Sequence, residues 1–274
     1  MASQEALVAA AFFAKEGYAP SRQSSLLQAL EEINPWGDTA MLSSMMACLS
    51  RILRLNAALA QLGLQNSFHF LHIVITDGVD NQSRTSVEQV GAVLMLIGAK
   101  LPVNHCKTII IGIDLDEDQQ CRAQLEALNL LGGENCQKYD IDSVQIGQVF
   151  DGIKVSLGIQ RQVCVAMVQQ GAQTGMMFSQ TSRPVLSVSR PNFAVLFNLD
   201  ISGSMSGARW SRVKASVQNF MSSLSETDLV SGVCFNGDVM SVDYAVTACR
   251  QHEAEQSSGP RRIILVPSEA CSLS

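Results

Sequence analysis

The chain has 274 residues with 19 basic and 25 acidic side chains, a net charge of −6. At 47% apolar and only 16% charged it can bury a sizeable core, and it lacks the clustered Lys/Arg that a nucleic-acid or anionic-membrane surface needs. Its longest apolar run, Ala92 to Ala99, falls far short of the ~18 residues of a membrane span. Leu7 to Ala14 is apolar enough for a signal-peptide core, but Glu5 precedes it and no Lys or Arg does, which is the wrong flank for secretion. The eight cysteines form no CxxC pair and no metal-like spacing, so they read as reduced core thiols in a cytoplasmic protein.

In chain order, Leu42, Met45, Met46, Leu49, Ile52 and Leu53 stripe a helix over residues 40–62 that stops at Gly63. Phe68 to Thr76 is a near-continuous apolar run, as expected of a strand covered on both faces. Thr85 and Glu88 form a capping box for a helix reaching Lys100. Thr108 to Ile113 is a second buried strand, and a helix from Asp118 to Leu131 stops at Gly132-Gly133. Cys136 to Ile141 is a weaker strand, after which Asp142 caps a helix bearing Ile146, Val149, Phe150, Ile153 and Leu157.

Residues 158–191 break this pattern. They hold a short candidate strand, Val163 to Val168, then a Gln/Gly/Ser/Thr stretch with Pro184 and Pro191. Alternation then resumes with a strand at Phe193 to Leu199 and a helix striped by Trp210, Val213, Val217, Phe220 and Leu224. A strand at Leu229 to Phe235 follows, and Asn236-Gly237 turns it into Val239 to Tyr244. The pattern fades after Val246, although Ile263 to Val266 is apolar. Alternating strands and helices predict an α/β fold with a doubly wound, mostly parallel sheet. Ligands of such sheets bind beyond the carboxyl ends of the strands.

Oxygen-bearing residues gather at those ends. Phe193 to Leu199 runs into Asp200-Ile201-Ser202-Gly203-Ser204, and the alternation lets three oxygen side chains converge. Phe68 to Ile75 runs into Thr76-Asp77-Gly78, and Gly37-Asp38-Thr39 precedes the helix at 40. Carboxylates and hydroxyls are hard ligands suited to Mg²⁺ or Mn²⁺. Each element has a plainer reading too. Asp200, Ser202 and Ser204 suit a helix N-cap, Thr39 suits another, and Asp77 could serve only the Gly78 turn. Asp80 and Asn81 read as turn residues.

Together these loops resemble the von Willebrand factor type A domain with its metal-ion-dependent adhesion site. The resemblance rests on Asp200-x-Ser202-x-Ser204 after an apolar strand and on the helix that follows, with Arg209 and Lys214. It rests also on the Thr76-Asp77-Gly78-Val79-Asp80-Asn81 loop and the Gly37-Asp38-Thr39-Ala40 loop. It implies a six-stranded Rossmann-like sheet. It also implies a metal held by the Ser202, Ser204 and Thr39 hydroxyls, with Asp200 and Asp77 acting largely through water. One position would be left open for an Asp or Glu of a protein partner. The order of the loops is reversed relative to the family. Residues 1–160 resemble the later part of such a domain, 161–192 a linker, 193–246 the earlier part and 247–274 an irregular tail. The chain therefore reads either as a circular permutation or as two partial domains.

Strands 68–76, 108–113 and 136–141 add to 193–199, 229–235 and 239–244 to make six. Each half alone would expose a long apolar edge strand, an aggregation hazard. Pairing Phe193–Leu199 with Phe68–Ile75 hides both, within one chain or by exchange of halves between two.

Other motifs fail. Asp114-x-Asp116-x-Asp118 starts like a calcium loop but has Gln119 and Leu125 where Gly and Glu are required, and reads as a solvated helix start. No phosphate-binding glycine loop is present. His69 and His72 face opposite sides of a strand, and Met41, Met45 and Met46 are core. The expected function is a metal-dependent protein-binding module, not an enzyme. A metal-independent intracellular scaffold is the alternative, and a Mg²⁺-dependent hydrolase a lesser one. An aspartyl-nucleophile phosphatase would want a second Asp at Ser202.

Overall fold

The structure, a computed structural model, describes residues 23–63, 68–158, 192–225, 228–241 and 252. The candidate strand at 163–168, nearly all of the linker, the N-terminal apolar stretch at 7–14 and the run at 263–266 lie outside them.

Helix α1 (Gln23–Glu31) and helix α2 (Met41–Gln61) lead into β1 (Phe68–Thr76). Helix α3 (Val87–Lys100), β2 (Cys106–Ile113), helix α4 (Gln119–Gly132) and β3 (Cys136–Ile141) follow. Residues 146–158 form helix α5. From residue 192 on come β4 (Asn192–Asp200), helix α6 (Ala208–Met221), β5 (Leu229–Phe235) and β6 (Val239–Ser241). The six strands make one sheet in the order β3-β2-β1-β4-β5-β6. All neighbours are parallel except the β5–β6 hairpin. The α/β doubly wound class expected from the sequence is what the chain adopts.

Both faces of the sheet are covered, which is why its central strands are apolar nearly throughout. Leu71, Ile73 and Ile75 of β1 and Phe193, Val195, Phe197 and Leu199 of β4 pack under α1, α5 and α6. Phe150, Phe197 and Phe220 meet there at centroid distances of 5.4–6.4 Å, each pair adding about 1 kcal/mol to what its burial gives. The alternate residues Phe68, Phe70, Val74, Ala194 and Leu196 pack under α2, α3 and α4. His72, Thr76, Asn198 and Asp200 occupy the same alternation and are completely buried. The Ser44 hydroxyl donates to Asn198 Oδ1 at 2.5 Å and so ties α2 to β4.

β1 and β4 pair over their whole length, with Phe68 opposite Asn192 and Ile75 opposite Leu199. Their carboxyl ends are therefore flush. From β1 the chain winds outward through β2 to β3, and from β4 it winds the other way through β5 to β6. The connections diverge at the β1/β4 junction, the place beyond which ligands of doubly wound sheets bind.

Two local readings are corrected. The N-cap of α3 is Ser86, whose hydroxyl accepts from the Gln89 amide at 3.3 Å while Gln89 Oε1 accepts from the Ser86 amide at 2.8 Å. Thr85 is instead in contact with the Ser43 hydroxyl at 3.3 Å. Asp142 caps a 3₁₀ turn, Ser143–Gln145, that leads into α5.

Candidate metal centre

Asp200 ends β4 with no exposed surface. Thr76, at the end of β1, donates its hydroxyl to Asp200 Oδ2 at 2.6 Å, and the Ser202 amide donates to Oδ1 at 2.8 Å. The chain then turns through Gly203, so that the Ser202 and Ser204 hydroxyls lie 3.0 Å apart. Ser204 Oγ donates to Asp77 Oδ1 at 2.7 Å, although 127 residues separate the two. Thr76, Asp200, Ser202, Ser204 and Asp77 thus form one connected run of oxygens across the β1/β4 junction.

The Thr39 loop is held against this run by its backbone. The Gly203 amide donates to the Gly37 carbonyl at 3.0 Å and the Trp36 amide to the Ile201 carbonyl at 2.7 Å. Gly37 sits at φ +83°, a conformation that costs a residue with a Cβ but not glycine. Asn81 Oδ1 accepts from the Thr39 amide at 3.0 Å, and the Thr39 carbonyl accepts from the Asn81 and Gln82 amides. Asp80 Oδ2 accepts from the Leu42 amide at 2.6 Å. Thr39 is buried, and its Oγ1 lies 4.0 Å from where a Cβ on Gly78 would stand. It stands beside the run of oxygens without a hydrogen bond to it.

One cation and a third acid complete the surroundings. Arg209, in the first turn of α6, donates through Nη1 to Asp77 Oδ2 at 2.8 Å and through Nε to Asp114 Oδ2 at 2.7 Å. Asp114 closes β2 in the left-handed region at φ +53°, where its carboxylate also accepts from the Ser143 amide at 2.9 Å. The solvated-helix-start reading therefore fails for Asp114. It holds for Asp118, which caps α4, and for the exposed Asp116. Lys214 pairs with Glu31 at 2.6 Å, at the surface. Sequence reasoning noted Arg209 without a role and missed Asp114, Thr76 and the ties made by Asp80 and Asn81. Thr76 and Asp114 share one legible signal, since each is the polar residue at the end of a buried apolar strand.

Burial dominates the electrostatics. It pushes the Asp200 carboxyl up to about 7. The bonds from Thr76 and Ser202 pull the other way, and the nearby charge of Asp77 adds to the rise. Asp77 is also raised by burial, against the opposing pull of Ser204 and Arg209. For Asp114 the cost of partial burial is outweighed by the Ser143 amide and the Arg209 guanidinium, which hold it below the usual carboxylate range.

The donor set suits a hard divalent ion. Two carboxylates and hydroxyl oxygens converge, and Asp200 is a buried acid whose charged form needs a positive neighbour. Among the described residues no three His, Cys, Asp or Glu side chains cluster as a metal cage. Any ion held here would have to draw on the Ser202, Ser204 and Thr39 hydroxyls and on water as well as on carboxylates.

No family model and no curated protein matches the chain. Among solved structures the chain is similar to an uncharacterized protein from Alicyclobacillus acidocaldarius subsp. acidocaldarius DSM 446. The TM-score is 0.42 at 15% identity, over 69% of this chain and 97% of that one. Among the described residues no helix is long and apolar enough to cross a membrane.

Proposed function

We propose that this chain is a metal-dependent protein-binding module of the von Willebrand type A kind, with its two parts in reversed order. The observation that carries the reading is the run Thr76–Asp200–Ser202–Ser204–Asp77, built across the β1/β4 junction from segments more than a hundred residues apart. Mg²⁺ or Mn²⁺ bound there would supply a Lewis-acid position for a hard anionic oxygen, which a partner protein would present as Asp or Glu. Ser202, Ser204 and Thr39 would offer hydroxyls, and Asp200 and Asp77 would offer carboxylates largely through water. Thr76 keeps the Asp200 carboxylate oriented, and the Gly37–Gly203 contact keeps the Thr39 loop in place. The site recognises rather than reacts. Asp200 is engaged by Thr76 and Ser202, and Asp77 by Ser204 and Arg209, so neither carboxylate stands ready as a general base. Cys48, Cys106, Cys121 and Cys136 are free buried thiols, in keeping with a reducing, cytoplasmic setting.

Added Mg²⁺ or Mn²⁺ is expected to raise the melting temperature. Stabilisation follows RT ln(1 + [L]/Kd), about 2.7 kcal/mol at a hundredfold excess over Kd. Asp200→Ala should keep the fold and lose that increment, and chelator should release the partner in pull-downs. Equal metal stabilisation of wild type and variant would refute the assignment. One observation favours the metal-independent scaffold as second reading: Arg209 already gives Asp77 a cation. Its signature is a melting temperature and partner set that neither metal nor chelator changes.

A further inference from the structure

We infer that Arg209 is a resident counter-cation of this site and sets how tightly the site takes a divalent ion; the inference rests on the metal-binding reading above. Gly207, at φ +73°, turns the chain so that the first turn of α6 faces back over the 202–206 loop. The Arg209 guanidinium is then fixed at three points. Nη1 donates to Asp77 Oδ2 at 2.8 Å and to the Ser204 carbonyl at 3.1 Å, and Nε donates to Asp114 Oδ2 at 2.7 Å. Those acceptors come from the ends of β1 and β2 and from the loop after β4. One planar fork spans them, which a lysine ammonium on a flexible stem cannot do.

The consequence follows from charge. Asp77 has one oxygen accepting from Ser204 Oγ and the other from Arg209. A metal, or a water on it, that engages Asp77 shares the same carboxylate with the guanidinium. Arginine does not shed its proton, so its charge stays and opposes a second cation a few ångströms away. Relief comes when Nη1 leaves Asp77. The side chain is 35% exposed, so it has solvent to move into, while the Nε bond leaves it tethered to Asp114. Arg209 thus holds Asp77 in the metal-free protein and competes with the ion for it.

The test is a Mn²⁺ titration of the full chain at fixed ionic strength, by calorimetry, on wild type, Arg209→Gln and Asp200→Asn. Arg209→Gln should lower the dissociation constant about tenfold or more and should be less stable than wild type in chelator. A merely structural arginine would give the second effect without the first. If wild type binds Mn²⁺ in an Asp200-dependent way and Arg209→Gln binds no more tightly, the competition is refuted while the metal site stands. If neither protein binds Mn²⁺, both claims fall. Wild type offers a readout independent of that variant's folding. The Arg209 Nε–H resonance should shift as Mg²⁺ saturates the site, and an unmoved resonance while the Ser202 and Ser204 amides respond would refute the competition.

Discussion

The central strand pair β1/β4 has two ends that are equally flush and physically opposite. At the carboxyl end, Thr76 and Asp200 meet, and hydroxyls, carboxylates and one guanidinium converge. At the amino end, His69 stacks on His105 at 4.2 Å and leans on Phe193. A cavity of about 210 Å³ opens there, lined by Lys107, Tyr139 and Ile153 among others. Connectivity accounts for the difference. The chain leaves β1 and β4 in opposite directions at the carboxyl end, which frees three loops to meet, whereas no such divergence occurs at the amino end, where imidazoles and aromatic rings line the cavity. Burial pushes both ends toward neutrality with opposite sign: the Asp200 acid up, the His69 and His105 imidazoles down.

The largest effect that sharpens this contrast belongs to the amino end. Phe193 is fully buried beside the cavity, so Phe193→Ala enlarges an existing void and should cost about 3–5 kcal/mol in chemical denaturation. The metal-dependent increment in melting temperature should survive unchanged. Loss of that increment in a variant that still folds would mean the two ends are not separable.

A smaller effect is the pH dependence in chelator. The Asp200 acid is held above its unfolded value, so its contribution to stability is full below about pH 4 and lost as pH rises toward 7. His69, His105 and the mid-strand His72, the last pushed down to about 3, are held below theirs. Their contribution is full above about pH 6.5 and lost as pH falls. Each group contributes a slope of at most about 1.4 kcal/mol per pH unit. Asp200→Asn should therefore make stability less steeply falling between pH 5 and 7. His69→Gln should flatten the loss below pH 6.5. Denaturation curves for Asp200→Asn that parallel wild type across that range would remove Asp200 from the account.

What the sequence made legible, and what it did not, divides by range of interaction. β1 and β4 could be read because strands covered on both faces must be apolar almost without interruption. The alternating Asp200, Ser202 and Ser204 could be read because the spacing itself places them on one side of a loop. The cap of α3 was ambiguous in principle. Thr85 with Glu88 and Ser86 with Gln89 are two overlapping boxes, and a distant hydroxyl, Ser43, engages the first and leaves the second to cap. Asp114 looked like one of three equivalent acids until Arg209, 95 residues on, singled it out. Asn81 is a turn residue by composition, yet its side chain holds the Thr39 loop 42 residues away. Pairings of that kind leave no periodicity to read.

Whether both parts of the chain build a single metal site can be read from electron paramagnetic resonance of Mn²⁺, with chain mass measured on the same samples. Wild type should bind one Mn²⁺ per monomeric chain, and both Asp77→Asn, from the first part, and Asp200→Asn, from the second, should lose it. Full Mn²⁺ binding by either folded variant, or none by wild type, would contradict a site shared between them.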